Sequence, residues 1–166
     1  MKTHCVRLAC FLLFLLFLLP SCGQKNSSPR EILDELMAVS GELPEGTVFL
    51  SDAEEGSEEY LSPTLLRAMY GEEAEEEFEA VEDYALYLSS FAAPYEIAVF
   101  RCYSATDARR IEALCLYRAD EIRVALRETD FYSLIDSLRV LCRGKTVILM
   151  LTAEPDETER LALRLI

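Results

Sequence analysis

The sequence predicts an α+β domain, a two-layer sandwich in which a mainly antiparallel, four-stranded sheet carries its helices on one face. Two observations predict this fold. Runs rich in β-branched and aromatic residues come in two closely spaced pairs, 81–89 with 95–102 and 137–142 with 146–151. An amphipathic helix lies between the pairs and another helix follows the second pair. The core order is therefore β-β-α-β-β-α.

One or two short helices precede this core. Residues 30–39 carry apolar side chains at helical spacing, and residues 47–50 form a short β-rich run before the acidic loop 51–59. A second helix begins at Ser62-Pro63, because serine caps a helix N-terminus and proline suits the first turn. Gly71 is a typical residue for the end of that helix.

The long helix spans roughly 107–127 and opens at Ser104 or Thr106. Gly144, in the connector between the last two β-rich runs, indicates a hairpin. The last helix runs from Glu154 to about Leu165. The long helix has an apolar stripe that we expect to be buried, formed by Ala108, Ile111, Leu114, Cys115, Ile122, Ala125 and Leu126.

The N-terminus has the features of an export signal. Lys2 and Arg7 precede an apolar run over 8–19, which is shorter than the roughly 20 residues that a membrane-spanning helix needs. The run ends in Leu19-Pro20-Ser21-Cys22, which resembles a bacterial lipobox. We therefore predict a signal peptide over 1–21 and lipidation of Cys22, whose two acyl chains would hold the protein stably at a membrane. The alternative is a secreted protein cut near Ser21, with Cys22 an ordinary thiol.

The predicted organisation after the signal has three parts. Residues 22–30 form a polar tether, residues 31–59 form a helix and acidic loop that precede the domain, and residues 60–166 form the α+β domain. The expected location is the outer face of the cytoplasmic membrane, where a lipid anchor holds the chain.

Negative charge is concentrated in one segment. The chain has a net charge of −14, and residues 42–83 hold fifteen acidic side chains against the single base Arg67. Such a surface argues against nucleic acid as a partner, because nucleic-acid binding needs a basic footprint. It argues equally against broad electrostatic docking on anionic lipid.

The histidine content excludes several enzyme classes. The single histidine is His4, inside the predicted signal, so the mature chain has no histidine-based triad, Cys-His dyad or imidazole metal site. No cofactor and no metal site is predicted.

Residues about 60 to 163 resemble a family of short lipoproteins of Gram-positive anaerobes, catalogued as domain of unknown function 4358. The resemblance rests on four segments: 66–71 (LRAMYG), 82–87 (EDYALY), 96–100 (EIAVF) with the helix opening at 105–108 (ATDA), and 144–149 (GKTVIL). It implies a lipoprotein signal, in agreement with the lipobox, but no activity, substrate or catalytic residues. Pro94-Tyr95 is bulkier than the family pattern, and residues 30–59 are peculiar to this chain.

Glu96 with Asp83 or Glu82 is a candidate carboxylate pair for glycoside chemistry. Solvent-facing strand acids are the favoured interpretation of these residues.

Cys102 and Cys142 each end a predicted strand, so they would be able to form a disulfide if the two strands are neighbours. The alternative is that they are free thiols packed as small apolar side chains.

The acidic segment is a candidate calcium-binding surface, but it lacks the alternating spacing and the glycine turn of an EF-hand loop. Solvated acid is the favoured interpretation. The segment contains Asp52, Glu54, Glu55, Glu58, Glu59, Glu72, Glu73, Glu75, Glu76 and Glu77.

The arginines of the long helix are candidates for binding phosphate or a peptide carboxylate. We favour local ion pairs to Asp107, Glu112 and Asp120. The arginines are Arg109, Arg110, Arg118, Arg123 and Arg127.

The leading hypothesis is a non-enzymatic, membrane-anchored module outside the cytoplasm that binds an envelope protein or ligand. A histidine-free hydrolase that uses paired carboxylates and an acidic calcium-responsive surface protein are the alternatives. The sequence identifies no specific ligand.

Overall fold

The computed structural model describes residues 27–90 and 94–166, so the predicted signal peptide, the predicted lipobox and most of the predicted tether lie outside the described residues. The described elements are α1 (Pro29–Val39), β1 (Gly46–Leu50), α2 (Pro63–Tyr70), α3 (Ala74–Phe78), β2 (Val81–Ser89), β3 (Glu96–Cys102), α4 (Ala105–Leu126), a 3-10 helix (Tyr132–Ser137), β4 (Leu138–Arg143), β5 (Thr146–Leu151) and α5 (Pro155–Leu165). None of the helices within these ranges is both long enough and apolar enough to cross a membrane.

The α+β class and the antiparallel sheet are confirmed, but the predicted four strands are wrong. The sheet has five strands in the order β1-β2-β3-β5-β4, and every neighbouring pair is antiparallel. The additional strand is β1, which pairs with β2 from Gly46 opposite Ser89 to Leu50 opposite Ala85. A Cβ atom at Gly46 would lie 2.5 Å from the carbonyl oxygen of Leu88, so this close approach requires glycine.

The prediction that the helices cover one face of the sheet is also wrong. On one face, α2, α3 and α4 pack over Ala98, Phe100 and Leu149. On the other, α1 and α5 pack over alternate strand residues such as Ile97 and Met150. The physical reason is visible in β3 and β5, which are almost continuously apolar, as strands buried on both faces are.

The segment 31–59 contributes directly to this packing. Ile32, Leu33 and Leu36 of α1 are at most 2 % exposed and contact the sheet face that α5 shares. Ser28 caps α1, and the Glu31 side chain accepts a hydrogen bond from the Ser28 backbone N–H in return. The chain is therefore tied into the core from its first described residues.

The helix boundaries follow the predicted caps closely. The Ser62 hydroxyl accepts a hydrogen bond from the Leu65 N–H at the start of α2, and Gly71 ends that helix with a φ of +95°. Ser104, one of the two predicted openers, caps α4 through the Asp107 N–H. These caps place Tyr70 at the end of α2 and Arg118 in the middle of α4, both facing the start of β3.

Candidate functional site

The most unusual buried group is the carboxylate of Glu96, the first residue of β3. Glu96 is 1 % exposed, and both of its carboxylate oxygens accept hydrogen bonds. Arg118 donates to Oε2 from Nε at 3.1 Å and from Nη2 at 2.8 Å. The Tyr70 hydroxyl donates to Oε1 at 3.2 Å. The three residues join β3, α4 and α2 in one charged cluster, the Tyr70–Glu96–Arg118 cluster.

Aromatic packing holds the Tyr70 side of this cluster. The Tyr70 and Phe100 rings meet edge to face with their centroids 5.9 Å apart. Phe78 of α3 packs against the same Phe100 ring at 5.4 Å, again edge to face. Such contacts between rigid rings fix the direction of the Tyr70 hydroxyl.

The nucleophilic side chains near Glu96 are held in their neutral forms. Burial, reinforced by the charge of Glu96, raises the pKa of the Tyr70 phenol and that of the Cys115 thiol well above their ordinary values. The phenol and the thiol therefore stay protonated at physiological pH. Burial alone would lower the pKa of Arg118, but the adjacent carboxylate outweighs it and the net shift is upward. The cluster thus contains a fixed anion and a fixed cation but no activated nucleophile.

A cleft of about 770 Å³ opens beside Arg118. Its walls include Phe49 of β1 and Leu65 and Met69 of α2, and Glu45 and Glu58 also line it. The Arg118 side chain keeps one fifth of its surface exposed. Its bonds to Glu96 use Nε and Nη2, and Nη1 has no hydrogen-bond partner in the described part of the chain. Arg118 can therefore donate to a ligand in the cleft while it neutralises Glu96.

The predicted carboxylate pair is not formed. In the β2–β3 ladder Glu96 lies opposite Leu88 whereas Asp83 lies opposite Arg101, five residues further along. At strand spacing this separates Glu96 from Asp83 by about 17 Å, well beyond the roughly 5–9.5 Å between glycosidase carboxylates. Asp83 instead accepts a hydrogen bond from the Ser51 hydroxyl, and Glu82 is exposed. The favoured interpretation of Glu96 as a solvent-facing acid is wrong as well, because Glu96 is buried.

The sequence contains a signal for the Glu96–Arg118 pair that the predictions missed. Arg118 lies three residues after Cys115 and four before Ile122, so it falls on the buried stripe of α4. Glu96 likewise opens a strand whose next four residues are all apolar. A charged residue at each of two buried positions is a reason to expect that they pair.

The condition for the predicted disulfide is not met, because β5 lies between β3 and β4. Two interstrand spacings amount to about 9–10 Å, whereas bridged cysteines have Cα atoms within about 7 Å. Cys102, Cys115 and Cys142 are all free thiols in the structure. Burial raises the pKa of Cys102 to about 11, as expected for a cysteine packed as an apolar side chain.

The predicted local ion pairs of α4 are confirmed for Arg109, Arg110 and Arg123, whereas Arg118 pairs with Glu96 of β3 and Arg127 forms no ion pair within the described residues. Arg109 contacts Glu112 at 2.7 Å and Arg123 contacts Asp120 at 2.7 Å. Arg110 lies 3.9 Å from Asp107 and makes a closer contact, 2.7 Å, with Glu77 of α3. These pairs are largely exposed and contribute little to stability.

The acidic segment forms no recognisable metal site. Over residues 27–90 and 94–166, no three acidic, cysteine or histidine side chains are arranged to hold a metal ion. Two of the acids are used in ion pairs, Glu75 with Arg67 at 2.6 Å and Glu77 with Arg110.

Comparisons of the chain with protein-family models, with curated proteins and with solved structures gave no match. The resemblance of residues 60 to 163 to the lipoprotein family therefore stays a prediction.

The raised pKa values predict a loss of stability at alkaline pH. When a group has a higher pKa in the folded than in the unfolded state, its contribution to stability is complete at pH values below the unfolded-state pKa. That contribution is lost as the pH rises through the folded-state pKa. The groups with the largest upward shifts of the pKa are Cys102 and Cys115, with an ordinary pKa of 9.0, and Tyr70 and Tyr84, with an ordinary pKa of 10.0. We expect the free energy of unfolding to decline from about pH 9, by up to about 1.4 kcal/mol per pH unit for each titrating group.

Denaturant unfolding at pH 7 to 11 measures this decline. Tyr70→Phe should make it shallower above pH 10, and Tyr132→Phe is the matched control because Tyr132 is 61 % exposed. Identical slopes for the two variants would contradict the coupling of the Tyr70 proton to folding.

Proposed function

We propose that this chain is a lipid-anchored module outside the cytoplasm that binds an envelope component in the cleft beside Arg118. The observation that carries the proposal is a cleft of about 770 Å³ that combines apolar walls with Arg118, whose Nη1 has no hydrogen-bond partner among the described residues. Ligand sites in proteins are typically concave and apolar, with a few polar groups that orient the ligand. The ligand would have an apolar body and a neutral hydrogen-bond acceptor, such as a carbonyl, for Arg118, because Glu45 and Glu58 line the cleft and Glu96 already neutralises Arg118.

The chemistry around Glu96 supports binding rather than catalysis. A general base needs a proton acceptor free to reach the substrate. The Glu96 carboxylate is instead bonded to Arg118 and Tyr70, and the Cys115 thiol next to it is protonated. The cluster is therefore suited to hold Arg118 rigidly, which lowers the entropy lost when a ligand binds.

The lipobox supports the anchored location. Cys22 is five residues before Ser27, so the folded domain would start within about 18 Å of the anchored cysteine. A partner of such a protein would be another component of the cell envelope.

The anchor is tested by Cys22→Ser expressed in a bacterial host. Without the acyl chains, the protein should leave the membrane fraction for the medium or remain unprocessed, because the Cys22 thiol is the site of lipidation. Fractionation and intact mass measure the outcome, and Cys142→Ser should stay membrane-bound. An unchanged membrane fraction with an unchanged mass would contradict the anchor.

The cleft is tested by photo-crosslinking in intact cells. A photoreactive amino acid placed at Thr47 or at Leu65, on two different walls of the cleft, should capture the same molecule. The control position is Val124, which is 63 % exposed and does not line the cleft. Leu65→Arg should also suppress capture from Thr47, because it fills the cleft. Different adducts from the two walls, or the same adduct from Val124, would refute the binding site.

A further inference from the structure

A second cavity, of about 620 Å³, lies beside the turn between β4 and β5 and reaches the α1 and α5 side of the sheet. Three cationic side chains line it: Arg101 of β3, Arg143 at the end of β4, and Lys145 in the turn. Glu82 is the one acidic side chain among the lining residues. A strongly acidic chain therefore has a local excess of positive charge at this cavity.

These cations differ from most others in the described ranges because they have no carboxylate partner. Seven arginines there form ion pairs with acidic side chains. Arg143 donates only to the carbonyl oxygen of Leu163, at 3.3 Å, and the exposed Lys145 ammonium has no side-chain hydrogen bond within residues 27–90 and 94–166. The described cations outside ion pairs are Arg101, Arg127, Arg143, Lys145, Arg160 and Arg164.

The cavity also lies where the chain enters the domain. Arg101 donates a hydrogen bond from Nη2 to the carbonyl oxygen of Ser27, which itself lines the cavity. Ser27 is five residues after Cys22, so a lipid attached to Cys22 would start within about 18 Å of this cavity.

We propose that this cavity binds the phosphate group of an anionic phospholipid headgroup and so orients the domain on the membrane. The inference rests on the proposed lipid anchor. Arginine and lysine are the side chains that recognise phosphate, the first through a planar fork of donors and the second as a point charge. A tether of a few residues raises the effective concentration of headgroups at the cavity. The interaction is local, so it does not require the broad basic surface that this acidic chain lacks.

Because the chain has so few lysines, the chemical modification of Lys145 can be followed individually. The lysines are Lys2, Lys25 and Lys145, and Lys2 belongs to the predicted signal. The processed lipoprotein is reconstituted in vesicles of phosphatidylcholine alone or of equal parts phosphatidylcholine and phosphatidylglycerol. An amine-reactive, membrane-impermeant reagent is added, and the rate of Lys145 modification is read by mass spectrometry. Arg127→Lys provides a reporter amine just after the end of α4, since Arg127 is exposed, makes no ion pair within the described residues and does not line the cavity.

We expect modification of Lys145 to be several-fold slower in the phosphatidylglycerol vesicles, with no change at the lysine introduced by Arg127→Lys. Arg143→Gln should remove most of this protection, because it takes away one of the three cations. Equal rates for Lys145 in the two lipids, or equal slowing at both reporter positions, would overturn the proposal.

Soluble phosphate distinguishes the source of the ligand. If inorganic phosphate or glycerol phosphate protects Lys145 in phosphatidylcholine vesicles as well as phosphatidylglycerol does, the cavity binds a free phosphate and the lipid assignment is wrong. A failure of the anchor is recognised separately, because the protein then fails to float with either vesicle. That result would contradict both the proposed anchor and the assignment of the ligand to a lipid. Protection of Lys145 by soluble phosphate would still show whether the cavity binds phosphate.

Discussion

The buried ion pair between Glu96 and Arg118 is the interaction on which the arrangement of the other elements depends. An ionised carboxylate at 1 % exposure is strongly unfavourable unless a cation and hydrogen-bond donors replace the water it has lost. Arg118 provides the cation from α4, and Tyr70 provides a further donor from the end of α2. Because only one register of α4 on the sheet brings Arg118 to Glu96, the pair selects how the helical layer sits on β3.

The second constraint is that the sheet is buried on both faces. Along β3 and β5 successive side chains enter opposite cores, so neither strand has a solvated face. This arrangement explains why α1 is needed: without Leu33 and Leu36, α5 alone would cover the face that carries Ile97 and Met150. The cleft beside Arg118 and the cavity beside Lys145 both lie where helices and loops meet the ends of the sheet.

Features that depend on neighbouring residues were predictable from the sequence. The Ser62 cap, the Gly71 end of α2 and the Gly144 hairpin all depend on chemistry within a few positions, and the structure has them where they were expected. The local ion pairs of α4 were predictable for the same reason. The strand order, the edge position of β1 and the pairing of Glu96 with Arg118 depend on contacts between distant segments. A single amphipathic pattern shows that one side of α1 is buried but does not show which face of the sheet it covers.

A double-mutant cycle at Glu96 and Arg118 tests the central claim most directly, by denaturant unfolding of Arg118→Leu, Glu96→Leu and the double variant. We predict that Arg118→Leu destabilises the fold by about 3–5 kcal/mol, because it leaves a buried carboxylate without a counter-charge. Glu96→Leu should be milder, since Arg118 reaches solvent, and the double variant should be more stable than Arg118→Leu. As a control, Arg123→Leu should cost less than about 1 kcal/mol because the Arg123–Asp120 pair is exposed. Additive losses at Glu96 and Arg118 would contradict the claim that the pair organises the fold.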